Sequence, residues 1–257
     1  MIVDTHTHIF VEQFDNDRAE VIERAKAVGV EKFVLPNIDS KSIEQLNQTV
    51  AQYPDDMLPL MGLHPTSVKE NWQEELAIIK HELEKGKYYG IGEIGIDLYW
   101  DKTFLKEQQE VFITQLQWAK QKKLPVSIHI RDAFDEVFEI VEQEKSPDLR
   151  GVFHCFTGTL NQAKHAVDLG FHLGIGGVVT FKNGKIDQFL DQIPPHKLVV
   201  ETDAPWLAPT PYRGKRNEPA YIDLVVNKLA DVYQMKREEL ECILYHNSMD
   251  IFEIDKL

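Results

Sequence analysis

Short apolar runs alternate with longer amphipathic stretches along almost the whole chain. The runs at 2–5, 32–36, 58–62, 89–93, 126–129, 151–154, 171–175 and 198–201 are rich in β-branched residues, and several are bounded by Gly or Pro. That pattern predicts short buried strands. The intervening stretches repeat apolar residues at helical spacing. In 104–122, Leu105, Phe112, Leu116 and Ala119 form one stripe at i, i+7, i+11 and i+14. The stretches 15–28, 40–52, 135–144, 161–169, 221–232 and 237–245 read the same way, and Gly29 and Gly170 stand where helix C-caps belong. Eight strands alternating with helices predict an α/β protein, a (β/α)8 TIM barrel, with a doubly wound open sheet as the alternative. No repeat, low-complexity tract or Gly/Ser linker divides the chain, so 1–257 reads as a single domain.

The polar residues that end the strands favour the barrel. His6 and His8 follow the first run, His64 the third, Glu93 the fourth, His129 the fifth, His154 the sixth, and Glu201 and Asp203 the eighth. Only a closed ring brings the ends of strands one and eight side by side. His6 and His8 are two apart, so on extended backbone both point to one face, the geometry that chelates one ion. Asp4 shares that parity and could orient a ligand from behind. Glu93 lies between Gly92 and Gly95, where backbones can approach closely, and its carboxylate could bridge two cations. Each residue alone has a plainer reading: a solvated loop histidine, or a strand-end carboxylate paired with a cation. Jointly they supply the ligand types that borderline divalent cations accept.

Around this set, Arg131 shares a face with His129. It could hold a phosphate on its planar fork or serve a structural salt bridge. One of Glu201 and Asp203 could ligate a cation and accept a proton from bound water. Cys155, by strand alternation, points away from the site and reads as a small packed residue. His64 could touch substrate. His81, His165, His172, His196 and His246 read as surface or structural. The loop 211–219 carries Arg213, Lys215 and Arg216, a positive cluster able to grip phosphates, with Trp206 and Tyr212 available to stack or to pack.

Composition changes this picture little. With 43% hydrophobic and 27% charged residues the chain is ordinary globular material. The formal net charge of −14 weighs against extended nucleic-acid binding but not against a local grip on a strand end. Much of the acidic excess is expected on outer helix faces, at Glu74, Glu75, Glu82, Glu84, Glu238, Glu239 and Glu241. Two cysteines allow no disulfide framework, no segment reaches membrane-span length and no signal-peptide pattern opens the chain. The expectation is a cytoplasmic protein, by default a monomer.

Taken in order, Val3-Asp4-Thr5-His6-Thr7-His8, Gly62-Leu63-His64-Pro65, Gly92-Glu93-Ile94-Gly95-Ile96-Asp97, Ser127-Ile128-His129-Ile130-Arg131, His154-Cys155-Phe156-Thr157-Gly158, Glu201-Thr202-Asp203-Ala204-Pro205 and Arg213-Gly214-Lys215-Arg216-Asn217-Glu218-Pro219 resemble the TatD family of metal-dependent deoxyribonucleases. The resemblance implies a metallo-hydrolase barrel holding one or two divalent cations, such as Zn, Mg or Mn. It implies phosphodiester cleavage, often 3′→5′ on single-stranded DNA, by attack of a metal-activated water. It also implies that His6 and His8 with Glu93 and Asp203 hold one ion. Glu93, with His129 and His154, would hold the second. Asp203 and Glu93 would be the catalytic carboxylates, and His64, Arg131, Arg213, Lys215 and Arg216 would meet substrate. One departure is Leu98-Tyr99, where many relatives carry two aromatics. Other hydrolyses on the same barrel, of a lactone, an amide or an aminoacyl ester, stay open, as does a non-enzymatic metal scaffold.

Overall fold

A computed structural model describes residues 1–254. All eight expected strands form: β1 (Ile2–Asp4), β2 (Val30–Pro36), β3 (Met57–Leu60), β4 (Ile91–Asp97), β5 (Val126–Arg131), β6 (Gly151–Phe153), β7 (His172–Ile175) and β8 (Leu198–Val200). Helices α1 (Arg18–Ala27), α2 (Ile43–Gln52), α3 (Trp72–Lys85), α4 (Leu105–Lys122), α5 (Phe134–Gln143) and α6 (Leu160–Asp168) follow β1 to β6 in turn. After β7 the described chain makes only short 3-10 turns. After β8 come α7 (Ile222–Tyr233) and α8 (Arg237–Phe252), the latter two turns longer than its sequence pattern indicates. The strands are parallel throughout, which suits runs buried on both faces: all seven residues of β4 are buried.

The ladders form two arcs, β1-β2-β3 and β4 through β8. Single hydrogen bonds join them into a ring. Between β3 and β4, the Tyr89 amide donates to the Pro59 carbonyl (2.9 Å) and that of Gly92 to Met61 (3.2 Å). Between β8 and β1, the Thr5 amide and hydroxyl both donate to the Val200 carbonyl, at 3.1 and 3.0 Å. The result is the expected (β/α)8 barrel. Asp4 helps to seal it, although not as expected. Its carboxylate accepts the Thr202 amide (3.0 Å) and hydroxyl (2.6 Å), so it fixes the segment after β8 and does not touch an imidazole ring.

Two apolar clusters result. Val3, Val34, Leu58, Leu60, Val152 and Val199 pack with Ile251 and Phe252, the last turn of α8, at the end of the barrel where the strands begin. The larger cluster lies between the strands and the surrounding helices and includes Phe33, Phe112, Phe153 and Phe171. Helix α3 shows why the acidic stretches are tolerated. Leu76, Ile79 and Leu83 face this core while Glu74 and Glu84 stay exposed. No helix of the described residues is long and apolar enough to cross a membrane.

Candidate metal centre

The opposite end of the barrel, where the strands finish, is polar and buried. His6, His8, Glu93 and His154 are each at most 5% exposed. They meet with His64, His129 and Asp203 at the floor of a cleft of about 880 Å³. Glu93 lies at the centre and its two oxygens face different partners. Oε2 lies 3.2 Å from His6 Nε2 and 3.4 Å from His8 Nε2, and Asp203 Oδ1 stands 3.8 and 3.7 Å from the same two nitrogens. Oε1 lies 2.8 Å from His129 Nδ1, 2.8 Å from His154 Nε2 and 3.2 Å from His64 Nε2.

These spacings fit shared cations. Ligand atoms about 2.1 Å from a tetrahedral ion stand about 3.4 Å apart. Groups of three ligand atoms close enough for one ion form from His6, His8 and Asp203, from His6, Glu93 and His154, and from His64, Glu93 and His129. Five imidazoles crowd this one carboxylate, and the His6 and His154 rings stack at 3.7 Å. Buried His8 Nδ1 and Glu201 Oε2 also lack hydrogen-bond partners among the described residues. A donor set this rich in imidazole nitrogens and carboxylate oxygens is suited to one or two divalent cations.

The surroundings orient the rings. Ser127 Oγ contacts His6 Nδ1 at 3.0 Å, leaving Nε2 toward Glu93. Asp97 Oδ2 holds His129 Nε2 at 2.9 Å, which turns Nδ1 inward. Glu201, fully buried, has Oε1 3.4 Å from His154 Nδ1 and accepts the Cys155 amide. Its carboxylate fits because residue 174 is glycine: a Cβ there would fall 2.2 Å from Oε2. Of the two carboxylates after β8, then, Asp203 faces the cluster and Glu201 braces a ring from behind. His64 is built differently. Its Nδ1 accepts the Thr66 amide at 3.1 Å, so a neutral ring carries its proton on Nε2 and donates toward Glu93. That arrangement suits a hydrogen-bond donor in the cleft better than a metal ligand.

The charges follow from these contacts. Burial pushes the Glu93 carboxyl up, but His64, His154 and His6 together outweigh it and hold Glu93 well below the usual carboxylate range. Burial pushes Asp203 up to about 6, against the pull of His154 and His8. Burial drives His6 well below the ordinary histidine value. It also acts to lower His154, yet Glu93 and Glu201 overcome it and raise that ring well above its ordinary value.

Two expectations need correction. Cys155 does not point away: its backbone is left-handed (φ 44°), strand alternation ends there, and the residue lines the cleft. Arg216 does not reach the cleft, because its guanidinium makes a two-pronged pair with Asp17 (2.8 and 2.6 Å) and donates to the Gln13 carbonyl. Of the two roles open to Tyr212, it takes packing, stacked on Tyr221 at 4.2 Å. Arg131, Arg213, Lys215 and Trp206 do line the cleft. Asn37 was not anticipated. Its carbonyl accepts the Glu93 amide (3.1 Å) and its side chain donates to the Gly62 carbonyl (2.9 Å). A buried Asn directly after the apolar run 33–36 was the available signal.

Fold and site together define a (β/α)8 barrel with a histidine–carboxylate centre at the C-terminal ends of its strands. Comparison with known proteins narrows the class. The family model "TatD related DNase" matches residues 3–253, and the chain belongs to the TatD family. It is 40% identical to YabD of Bacillus subtilis, an uncharacterized metal-dependent hydrolase, over 99% of this chain and 100% of that one. It is 33% identical to YcfH of Escherichia coli, described likewise, over 99% and 96%. The crystal structure of YjjV, a TatD homologue from Escherichia coli, superposes with a TM-score of 0.92 at 28% identity, covering 98% of each chain.

Proposed function

We propose that the protein is a divalent-metal-dependent hydrolase that cleaves phosphodiester bonds of DNA, acting from the 3′ end of single strands. The observation that carries this reading is the division of Glu93, one carboxylate oxygen toward His6 and His8, which Asp203 also approaches, and the other toward His64, His129 and His154. His6, His8, Glu93 and Asp203 would hold one cation, and Glu93, His129 and His154 a second. Membership in a family described as DNases and relatives named metal-dependent hydrolases support it. Bound divalent cations would supply Lewis acidity, easing deprotonation of water and offsetting charge on the phosphoryl oxygens.

The chain's own residues do the rest. Glu93 fixes the spacing of the two halves of the site. Asp203, at the edge of the cluster beside His6 and His8, takes the proton of the attacking water. A new P–O bond forms to that water oxygen, the ester P–O bond breaks, and the leaving oxygen recovers a proton from Asp203 or from solvent. His64 Nε2 donates into the cleft. Arg131, Arg213 and Lys215 line it and would hold backbone phosphates, and no carboxylate pairs with any of the three among the described residues. A monomer acting in the cytoplasm is the simplest setting.

The test is cleavage of end-labelled single-stranded DNA by metal-stripped protein supplied with magnesium, manganese or zinc. A ladder from the 3′ end that needs metal and disappears in Glu93→Ala is the expected result. Folded, metal-loaded protein that cleaves no strand with any metal would overturn the nuclease reading and turn attention to small esters or amides.

A further inference from the structure

One rim of the cleft carries apolar surface that the fold leaves in water. Trp100 is 72% exposed and Tyr99 54%, the two most exposed aromatic side chains of the large hydrophobic residues. They follow β4 directly, and Trp100 lines the cleft that contains Glu93 and His129. Isolated exposed aromatics are common, but this pair is held in place. The Tyr99 amide donates to Asp97 Oδ1 (3.0 Å), on the carboxylate that orients His129 through its other oxygen. One residue past Trp100, Asp101 accepts the Thr103 amide (2.8 Å) and pairs with Lys69 (3.1 Å). The indole is therefore presented on a segment braced on both sides.

Arg131 completes the arrangement. Its guanidinium carbon lies 3.8 Å from the Tyr99 ring centroid and 5.4 Å from that of Trp100. The Tyr99 and Trp100 rings meet edge to face at 4.8 Å and 89°. A guanidinium stacked on a ring uses its face and leaves its in-plane N–H groups free for phosphate oxygens. Across the cleft Arg213 repeats the motif, 3.5 Å over the Phe181 ring. These cations face the cleft in a chain whose net charge is −14, so they make the cleft locally favourable for a polyanion.

The geometry points to a stacking step for one unpaired nucleobase, formed by the open indole of Trp100 beside Tyr99, with Arg131 on the adjoining phosphate. This inference rests on the nuclease reading and adds to it a basis for selectivity. Every base has a π-face, so the step tolerates sequence, but a base within a duplex cannot offer that face without unpairing. Trp100 thereby selects strands whose ends are single or frayed.

The test compares wild type, Trp100→Ala and Trp100→Phe on a short thymidine strand and on the same strand ending in abasic residues. Binding of phosphorothioate-linked versions by the metal-loaded proteins, read by fluorescence anisotropy, runs beside steady-state cleavage. Stacking on one aromatic side chain predicts that Trp100→Ala raises KM and Kd for the base-bearing strand about tenfold, with kcat little changed. Trp100→Phe keeps most of the affinity, and the abasic strand no longer distinguishes the variants. Wild-type cleavage of DNA with unchanged KM and Kd in Trp100→Ala, or an equal rise on both strands, would overturn the stacking step and leave the nuclease reading intact. A wild type that neither binds nor cleaves either strand would overturn both.

Discussion

The two ends of this barrel are made from the same eight strands and solve opposite problems. Where the strands begin, Val3, Val34, Leu58, Val152 and Val199 fill the interior and Phe252 of α8 closes it. Where they finish, buried imidazoles and carboxylates crowd together, and His8 Nδ1 and Glu201 Oε2 have no hydrogen-bond partner among the described residues. Apolar packing stabilises the first end without further help. The second end concentrates desolvated polar groups whose cost a cation can offset. Stability and chemistry are therefore separated along the barrel axis, and substitutions at the two ends should fail in different ways.

The largest contrast is expected at Asp203. Asp203→Asn removes the proton acceptor and should lower the rate of DNA cleavage by about 10²- to 10⁴-fold. Its effect on folding should be opposite in sign. The folded carboxyl is raised to about 6, above its unfolded value, so its contribution to stability is present in acid and is lost as pH rises through about 6. Above that pH the metal-free variant should melt no lower than wild type. Thermal melts in chelator at neutral pH, set beside single-turnover rates, would show this; a marked loss of melting temperature in the variant would refute the separation.

At the other end, Phe252→Ala should cost about 3–5 kcal/mol of stability, since the ring is fully enclosed and its removal leaves a cavity. Activity per folded molecule should stay at the wild-type level. Urea unfolding combined with active-site titration would measure both. A smaller effect separates the cations of loop 211–219. Arg213→Ala should weaken DNA binding and flatten its salt dependence by about 0.7 in the log–log slope for a single strand. Arg216→Ala should leave both unchanged and cost at most about 1 kcal/mol of stability, because it removes a partly exposed ion pair with Asp17. Equal salt slopes for the two variants would mean that the cleft lining does not predict the phosphate contacts.

Most of the site was legible because strand ends obey simple rules. Parity put His6 and His8 on one face, and the position of each polar residue after an apolar run gave the mouth of the barrel. What parity could not see is what happens once the strand stops. Cys155 turns into the cleft through a left-handed residue, and Asp4 bonds to Thr202 rather than to a ring. The loop cations looked alike in sequence, and only the position of Asp17, brought in from before α1, separates Arg216 from Arg213. Helix α3 lacked a clean stripe because exposed Ala77 and Ile78 interrupt its polar face. The segment between β7 and β8 lacks an α-helix in the described chain, and Gly177 and Gly184 with Pro194 and Pro195 are consistent with that.

If Glu93 joins two cation sites, the number of ions bound per chain depends on it. Wild type and Glu93→Ala would be stripped, saturated with manganese or zinc, freed of excess ion and assayed by mass spectrometry for metal per chain. On this reading wild type should hold up to two ions and the variant should lose at least one, with the fold retained by circular dichroism. A wild type with no metal above background, or a variant that keeps every ion, would contradict it.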